Sequence, residues 1–215
     1  MANGGLPKVV GQLRFRACFI GALLRPSARQ PLRAGHGKPC STDVKRIRQI
    51  AAVVTKMGIV SSLHLHPEVP GEALRAVGEV YAETGKGLVG DTRVFGRKDQ
   101  KGEPSRRQVS LIAREEIARH AAALGLMEIA PGAVRSNIET TGLNLVSFLR
   151  CEMEVGQAVL LFYEARTPCW KMERIAPGLQ GMMSQARQGV LAQVIRSGWI
   201  RTGDAIRIND IVKKR

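Results

Sequence analysis

Hydrophobic and polar positions alternate over Gly58–Leu65, which predicts a strand that the Pro67–Gly71 stretch ends. A second short strand fits Ala76–Tyr81. Gly85, Gly87 and Gly90 then break the pattern into a loop, and the polar run Lys98–Ser105 makes another. Gln108–Ile112 reads as a strand running straight into a helix, Arg114–Leu124, which Gly125 closes. Glu115 and Arg119 can pair on the outer face of that helix. Beyond Pro131-Gly132, strands are predicted at Val134–Ile138, Cys151–Val155 and Ala158–Ala165. A loop with a helical turn follows at Leu179–Gln188. The last strands are Val190–Arg196 and Ala205–Ile208, joined by Trp199-Ile200 and the turn Thr202-Gly203-Asp204. Many short strands and one clear helix predict a mainly β fold with a few helices, a closed or nearly closed β-barrel. No repeat period and no strand–helix alternation argues for a solenoid or a Rossmann sheet.

The periodic region starts late, and composition separates what precedes it. Residues 1–42 contain seven basic residues and no acid, with Ser, Gly and Pro interspersed. That matches a mitochondrial transit peptide, or else a disordered basic tail. Residues 43–56 carry the spacing of a short amphipathic lead-in helix, and residues 57–215 form the domain. Of the net charge of +15, +8 remains outside the tail, which suits an anionic ligand without naming one. No apolar run is long enough to span a membrane.

The chemistry-bearing residues are few. Cys18, Cys40, Cys151 and Cys169 lie far apart with no CxxC pair, against a zinc knuckle or a disulfide framework. Cys151 falls within a predicted strand and reads as core. Cys169 follows Pro168 in a loop, with Arg166 and Lys171 close by in sequence, a setting that favours a thiolate. Its bland alternative is a buried structural cysteine. Arg135 and Asn137 share one strand face if their segment is extended. Thr140, Thr141 and Gly142 continue as a turn whose amides can cradle an anion. Asp91 reads as structural, accepting amides in its glycine-rich turn. His64 and His66 are two apart with no third ligand in view, and read as surface residues, as does His120 beside Arg119.

Five separated segments resemble the MOSC family, named for the C-terminal domain of molybdenum cofactor sulfurase. They are Gly85–Asp91, Arg107–Ile112, Pro131–Leu143, Arg166–Cys169, and Gly198–Ile200 with Gly203–Ile206. Each is weak alone, but they occur in family order across about residues 58–208. The resemblance implies a barrel of mostly antiparallel strands. It also implies a molybdenum cofactor (molybdopterin) site, with Cys169 as the metal ligand and catalytic residue. Arg107, Arg135, Asn137, Thr140, Thr141, Arg166 and Lys171 are then the candidates for binding the cofactor; Arg106 cannot be told from Arg107. One departure stands out: small bacterial relatives follow Gly-Asp with Arg-His, whereas Asp91 here precedes Thr92 and Arg93.

Two enzymic readings follow from the resemblance. In one, a molybdenum-dependent oxidoreductase reduces N-hydroxylated small molecules with electrons from a donor protein. In the other, Cys169 is a sulfurtransferase's persulfide carrier, supplied by a cysteine desulfurase; pyridoxal phosphate enters only through that partner. A third reading, a basic nucleic-acid-binding barrel, has 4% aromatic residues and no RNA-binding motif against it. The oligomeric state has no signature. The compartment is mitochondrial if the tail is a targeting segment, and cytoplasmic otherwise.

Overall fold

The computed structural model describes residues 58–209; the basic segment 1–42 and the helix expected at residues 43–56 lie outside them. Among the described residues there are eleven strands: β1 (Gly58–Leu65), β2 (Arg75–Val77), β3 (Glu79–Glu83), β4 (Gly87–Leu88), β5 (Val109–Ala113) and β6 (Ile138–Thr141) in the first half. The second half adds β7 (Glu152–Val155), β8 (Ala158–Ala165), β9 (Val190–Arg196), β10 (Gly198–Arg201) and β11 (Ala205–Ile208). Among the described residues two α-helices, α1 (Arg114–Ala123) and α2 (Leu179–Met182), accompany them.

Seven strands close into a barrel in the order β1-β6-β5-β9-β8-β7-β11, and β11 pairs back onto β1. Every pairing is antiparallel except β5 with β6, whose parallel register needs the crossover that α1 supplies. Strand β2 extends β1 outside the ring, while β3, β4 and β10 form a separate three-stranded sheet. Closure removes the exposed edges that an open sheet of short strands would carry.

Apolar side chains from the ring, among them Leu63, Leu111, Ile138, Met153, Leu160 and Phe162, form one buried cluster. Phe162 is wholly buried, so truncation to alanine is expected to cost about 3–5 kcal/mol. A second cluster lies under the helices, where Ile112, Ile117, Val134, Met172, Leu179 and Met183 meet. Helix α1 begins with Glu115 and Glu116, which complement the dipole at its N-terminus. It ends in a Schellman motif, with Leu126 N–H donating to the Ala121 carbonyl and Gly125 N–H to that of Ala122. Gly125 has the left-handed φ of 69° that the motif requires.

Several expectations needed correction. The segment predicted as one strand at Ala76–Tyr81 breaks at Gly78 into β2 and β3, which belong to different sheets. The strand expected at Val134–Ile138 starts only at Ile138; before it lies a turn with Arg135 at φ 58°. Arg119 pairs with Glu116 instead of Glu115, whose carboxylate instead accepts the Gly142 amide at 2.7 Å. His64, His66 and His120 are buried, against the surface placement expected of them. The ring of His120 is held by the Arg187 carbonyl, 3.1 Å from Nε2.

Candidate functional site

Four chain segments converge on one small cleft. The turn after Asp91 brings Arg93, the approach to β5 brings Arg107, the turn before β6 brings Arg135, and the end of β8 brings Arg166. His66, Val94, Gln108, Val109, Ser110 and Asn137 complete the lining. The cleft encloses about 20 Å³, room for roughly one water-sized group. No carboxylate lines it, and among the described residues none of the four arginines forms a salt bridge.

Arg166 is buried, with 8% of its surface exposed. Burial pulls its guanidinium down to about 10, and the charges of Arg107, Arg93 and Arg135 push the same way, while Cys169 opposes them. One arm donates to Ser136 Oγ at 2.6 Å and the other to the Arg135 carbonyl at 3.1 Å. Arg135 is also held below the ordinary arginine value by burial and by Arg93, with Cys169 again opposing. Its terminal nitrogen donates to the Glu72 carbonyl at 2.7 Å, but its buried Nε has no partner. A left-handed arginine with an orphaned donor is strain that the surrounding packing must hold in place. Gly132 makes the tight turn possible: at φ 80°, a side chain there would meet the His64 ring at 2.9 Å.

Behind the arginines lies a buried hydrogen-bond network centred on Asp91. Its Oδ2 accepts from His66 Nδ1 at 2.8 Å, Asn137 Nδ2 at 2.7 Å and the His66 amide at 3.2 Å. Its Oδ1 accepts the amides of Arg93 and Val94 at 3.0 and 3.1 Å, the structural role expected of it. Burial opposes ionisation of this carboxyl, but hydrogen bonds from His66 and the Arg93 amide outweigh it and hold the group below its ordinary value. The imidazole beside Asp91 thus comes from His66 near the end of β1, where Thr92 and Arg93 follow Asp91 in sequence.

The amide of Asn137 is saturated. Its Oδ1 accepts from Ser110 N and Oγ at 3.1 and 2.9 Å, and its Nδ2 donates to Asp91 and to the His64 carbonyl. With both donors and both lone pairs used, it holds the cleft's wall together and has nothing left for a pterin edge. Gln108 donates to the carbonyls of Gly85 and Ser105, and its Oε1 accepts the Val194 amide, which leaves one lone pair on that oxygen.

The remaining candidates divide. Arg107 lines the cleft, whereas Arg106 stacks on the Tyr163 ring 4.5 Å away, which separates two residues that sequence left equivalent. Thr140 is buried on β6 with its hydroxyl 3.4 Å from the Ile112 carbonyl, and Thr141 pairs with Ile59. Neither lines the cleft. The Gly142 amide, expected to help cradle an anion, is taken by Glu115. Lys171 sits in the short 3-10 turn Trp170–Arg174, also outside the lining. Cys151 is half-buried against the barrel core.

Cys169 caps that same turn and is exposed. Met172, wholly buried in the second cluster with Val134, anchors the turn, so one packed layer positions both Cys169 and the turn bearing Arg135. Cys169 lies within electrostatic reach of both Arg135 and Arg166. Sequence reasoning missed His66 and Arg93. The signal for Arg93 was present in the altered Asp91-Thr92-Arg93 run, but nothing local announced His66.

The sequence profile of the MOSC domain matches residues 64–207. No curated protein sequence matches the chain. Among solved structures, the YuaD protein from Bacillus subtilis superposes with a TM-score of 0.59 at 19% identity, covering 70% of this chain and 94% of that one. YiiM from Geobacillus stearothermophilus gives 0.53 at 16% identity, with 70% and 74% covered. YiiM from Escherichia coli gives 0.50 at 19%, with 72% and 69% covered. At such identities the likeness concerns the fold.

Proposed function

The chain belongs to the MOSC domain family, and on that footing we propose that it binds the molybdenum cofactor and reduces N-hydroxylated small molecules. The observation that carries this reading is the convergence of four guanidiniums, uncompensated by any lining carboxylate, with an exposed cysteine in electrostatic reach of two of them. Guanidiniums suit the oxyanion groups of a phosphorylated, oxygen-bearing cofactor. A thiolate suits molybdenum, and the cofactor, when bound, supplies the two-electron chemistry. Among the described residues no three metal-ligating side chains converge, so a metal at Cys169 would bring the rest of its coordination with it.

The residues present fit that group in kind: Arg107, Arg135 and Arg166 would hold its anionic part and Cys169 its metal. The orphaned Nε of Arg135 is one donor awaiting an acceptor. Electrons would come from a donor protein. Molybdenum analysis of the chain purified from a cofactor-making host, and from one unable to make it, tests the reading. Near-stoichiometric metal in the first alone is expected; no metal in either would overturn it.

One observation favours a second reading, sulfur carriage. The exposure of Cys169 suits attack on a persulfide presented by a cysteine desulfurase, which keeps the pyridoxal phosphate. Labelled sulfur would then appear on Cys169 and survive without molybdenum. Among the described residues no helix is long and apolar enough to cross a membrane. Delivery to mitochondria by residues 1–42 belongs to the proposal, and import with and without that segment tests it.

A further inference from the structure

We infer that Glu139 is a positioning residue of the arginine cleft: with Arg114 it pins the turn that carries Arg135, and so sets how tightly the cleft holds an oxyanion. The inference rests on the reading of the cleft as an anion site and adds to it what keeps that site in shape.

Glu139 is an unusual residue for its place in β6. Glutamate is a poor strand former and is seldom fully buried, yet this side chain is buried throughout. It lies outside the lining of the cleft, and each of its oxygens is engaged. Oε1 accepts the Gly132 amide at 2.8 Å. Oε2 accepts from Arg114 Nη1 at 3.1 Å and from Ser62 Oγ at 3.2 Å. The same Arg114 nitrogen donates to the Ile129 carbonyl at 3.2 Å. The ion pair thus grips the chain at Ile129 and Gly132, just ahead of Arg135.

The turn needs that grip. Gly132 and Arg135 both have a left-handed φ, 80° and 58°, and the Arg135 amide donates to the Gly132 carbonyl at 2.9 Å. A left-handed arginine is disfavoured locally and persists only where contacts from elsewhere impose it. Arg166 supplies them on one side, at the Arg135 carbonyl and Ser136 Oγ. Glu139 supplies them on the other, holding Gly132 where it leaves no room for a side chain beside the His64 ring. A buried ion pair adds little net stability, but each partner is costly to leave unpaired, so the pair fixes one arrangement. Because this carboxylate sits off the cleft and is neutralised by Arg114, it shapes the turn without cancelling the charge of the four guanidiniums.

The sign of the effect separates positioning from plain electrostatics. Removing a carboxylate near an anion site leaves Arg114 uncompensated and by charge alone strengthens anion binding. Removing a carboxylate that holds Arg135 in place weakens it.

The test is calorimetric titration of the full chain, free of cofactor, with sulfate in chloride-free buffer at low ionic strength. Glu139→Gln keeps the size of the side chain and an oxygen for the Gly132 amide, but no charge for Arg114. Sulfate affinity should fall about tenfold, the loss of one well-aligned charge-assisted hydrogen bond. In an Arg135→Ala background the same change should cost nothing further, because it acts through Arg135. Glu128→Gln removes the exposed partner of the same Arg114 and should not weaken binding. Should Glu139→Gln lack a cooperative urea transition, Arg114→Gln, at a partly exposed side chain, takes its place in the same cycle. Unchanged or tighter sulfate binding in the single variant, an equal loss with and without Arg135, or weaker binding in Glu128→Gln would each overturn the inference while leaving the anion site standing. A wild type that binds no sulfate would overturn the anion site and the inference with it.

Discussion

Arg166 donates to the carbonyl oxygen of Arg135 at 3.1 Å, so one arginine of the cleft holds the backbone of another. The contact spans 31 residues and ties the end of β8, three residues before Cys169, to the turn in which Arg135 takes its left-handed conformation. The cleft is thus built by long-range hydrogen bonds against the mutual repulsion of its own charges, a balance that a bound anion would relieve.

The same repulsion gives a pH signature. Burial and the neighbouring guanidiniums hold Arg166 at about 10 in the folded chain, below the ordinary arginine value. Between those values the unfolded chain binds more protons, so this group makes stability rise with pH across that window. Relative to Arg166→Gln, the wild type should gain about 1 kcal/mol between pH 9 and pH 11 in urea unfolding. Parallel pH profiles for the two proteins would contradict the depressed value.

Arg135→Ala should weaken cofactor retention by about tenfold to a hundredfold, the range set by a charge-assisted hydrogen bond of about 1.5–3 kcal/mol. Arg119→Ala removes an exposed arginine that pairs with Glu116 and should leave retention unchanged. Equal retention in both variants, measured as cofactor remaining after gel filtration, would remove Arg135 from the site.

Asn137→Ala strips four side-chain hydrogen bonds from buried partners, among them Asp91 Oδ2 and the His64 carbonyl. Unfolding in urea should show a loss of about 3 kcal/mol, since each orphaned group keeps its desolvation cost. An unchanged midpoint would mean that the network does not hold the cleft.

The barrel was legible where local pattern and long-range pairing agree. The bounds of β1, β8, β9 and β11 match the sequence expectation because each is an apolar run closed by turn residues. The site was legible only in part. Val134–Ile138 looks extended in sequence, and nothing local shows that Arg166 will hold the Arg135 carbonyl in a turn or that the His64 ring will crowd Gly132. His66 read as a surface residue because the carboxylate that stabilises its burial lies 25 residues later. The partner of His120 lies 67 residues away. Arg106 and Arg107 diverge in the irregular segment leading to β5, where one lies over the Tyr163 ring and the other lines the cleft. Such contacts depend on the closed barrel and carry no periodic signal.

The most direct test of the account is the molybdenum environment in Cys169→Ser, read by X-ray absorption at the metal edge. Serine keeps the size of the side chain while replacing a soft thiolate with a hard hydroxyl. The wild type should show one more sulfur neighbour than the variant, and the variant should lose metal or bind it in an altered coordination, with loss of reductase activity. Cys151→Ser, altered at the barrel core, should match the wild type. A Cys169→Ser protein with full metal content, unchanged sulfur coordination and normal activity would contradict the assignment of Cys169 as the metal ligand.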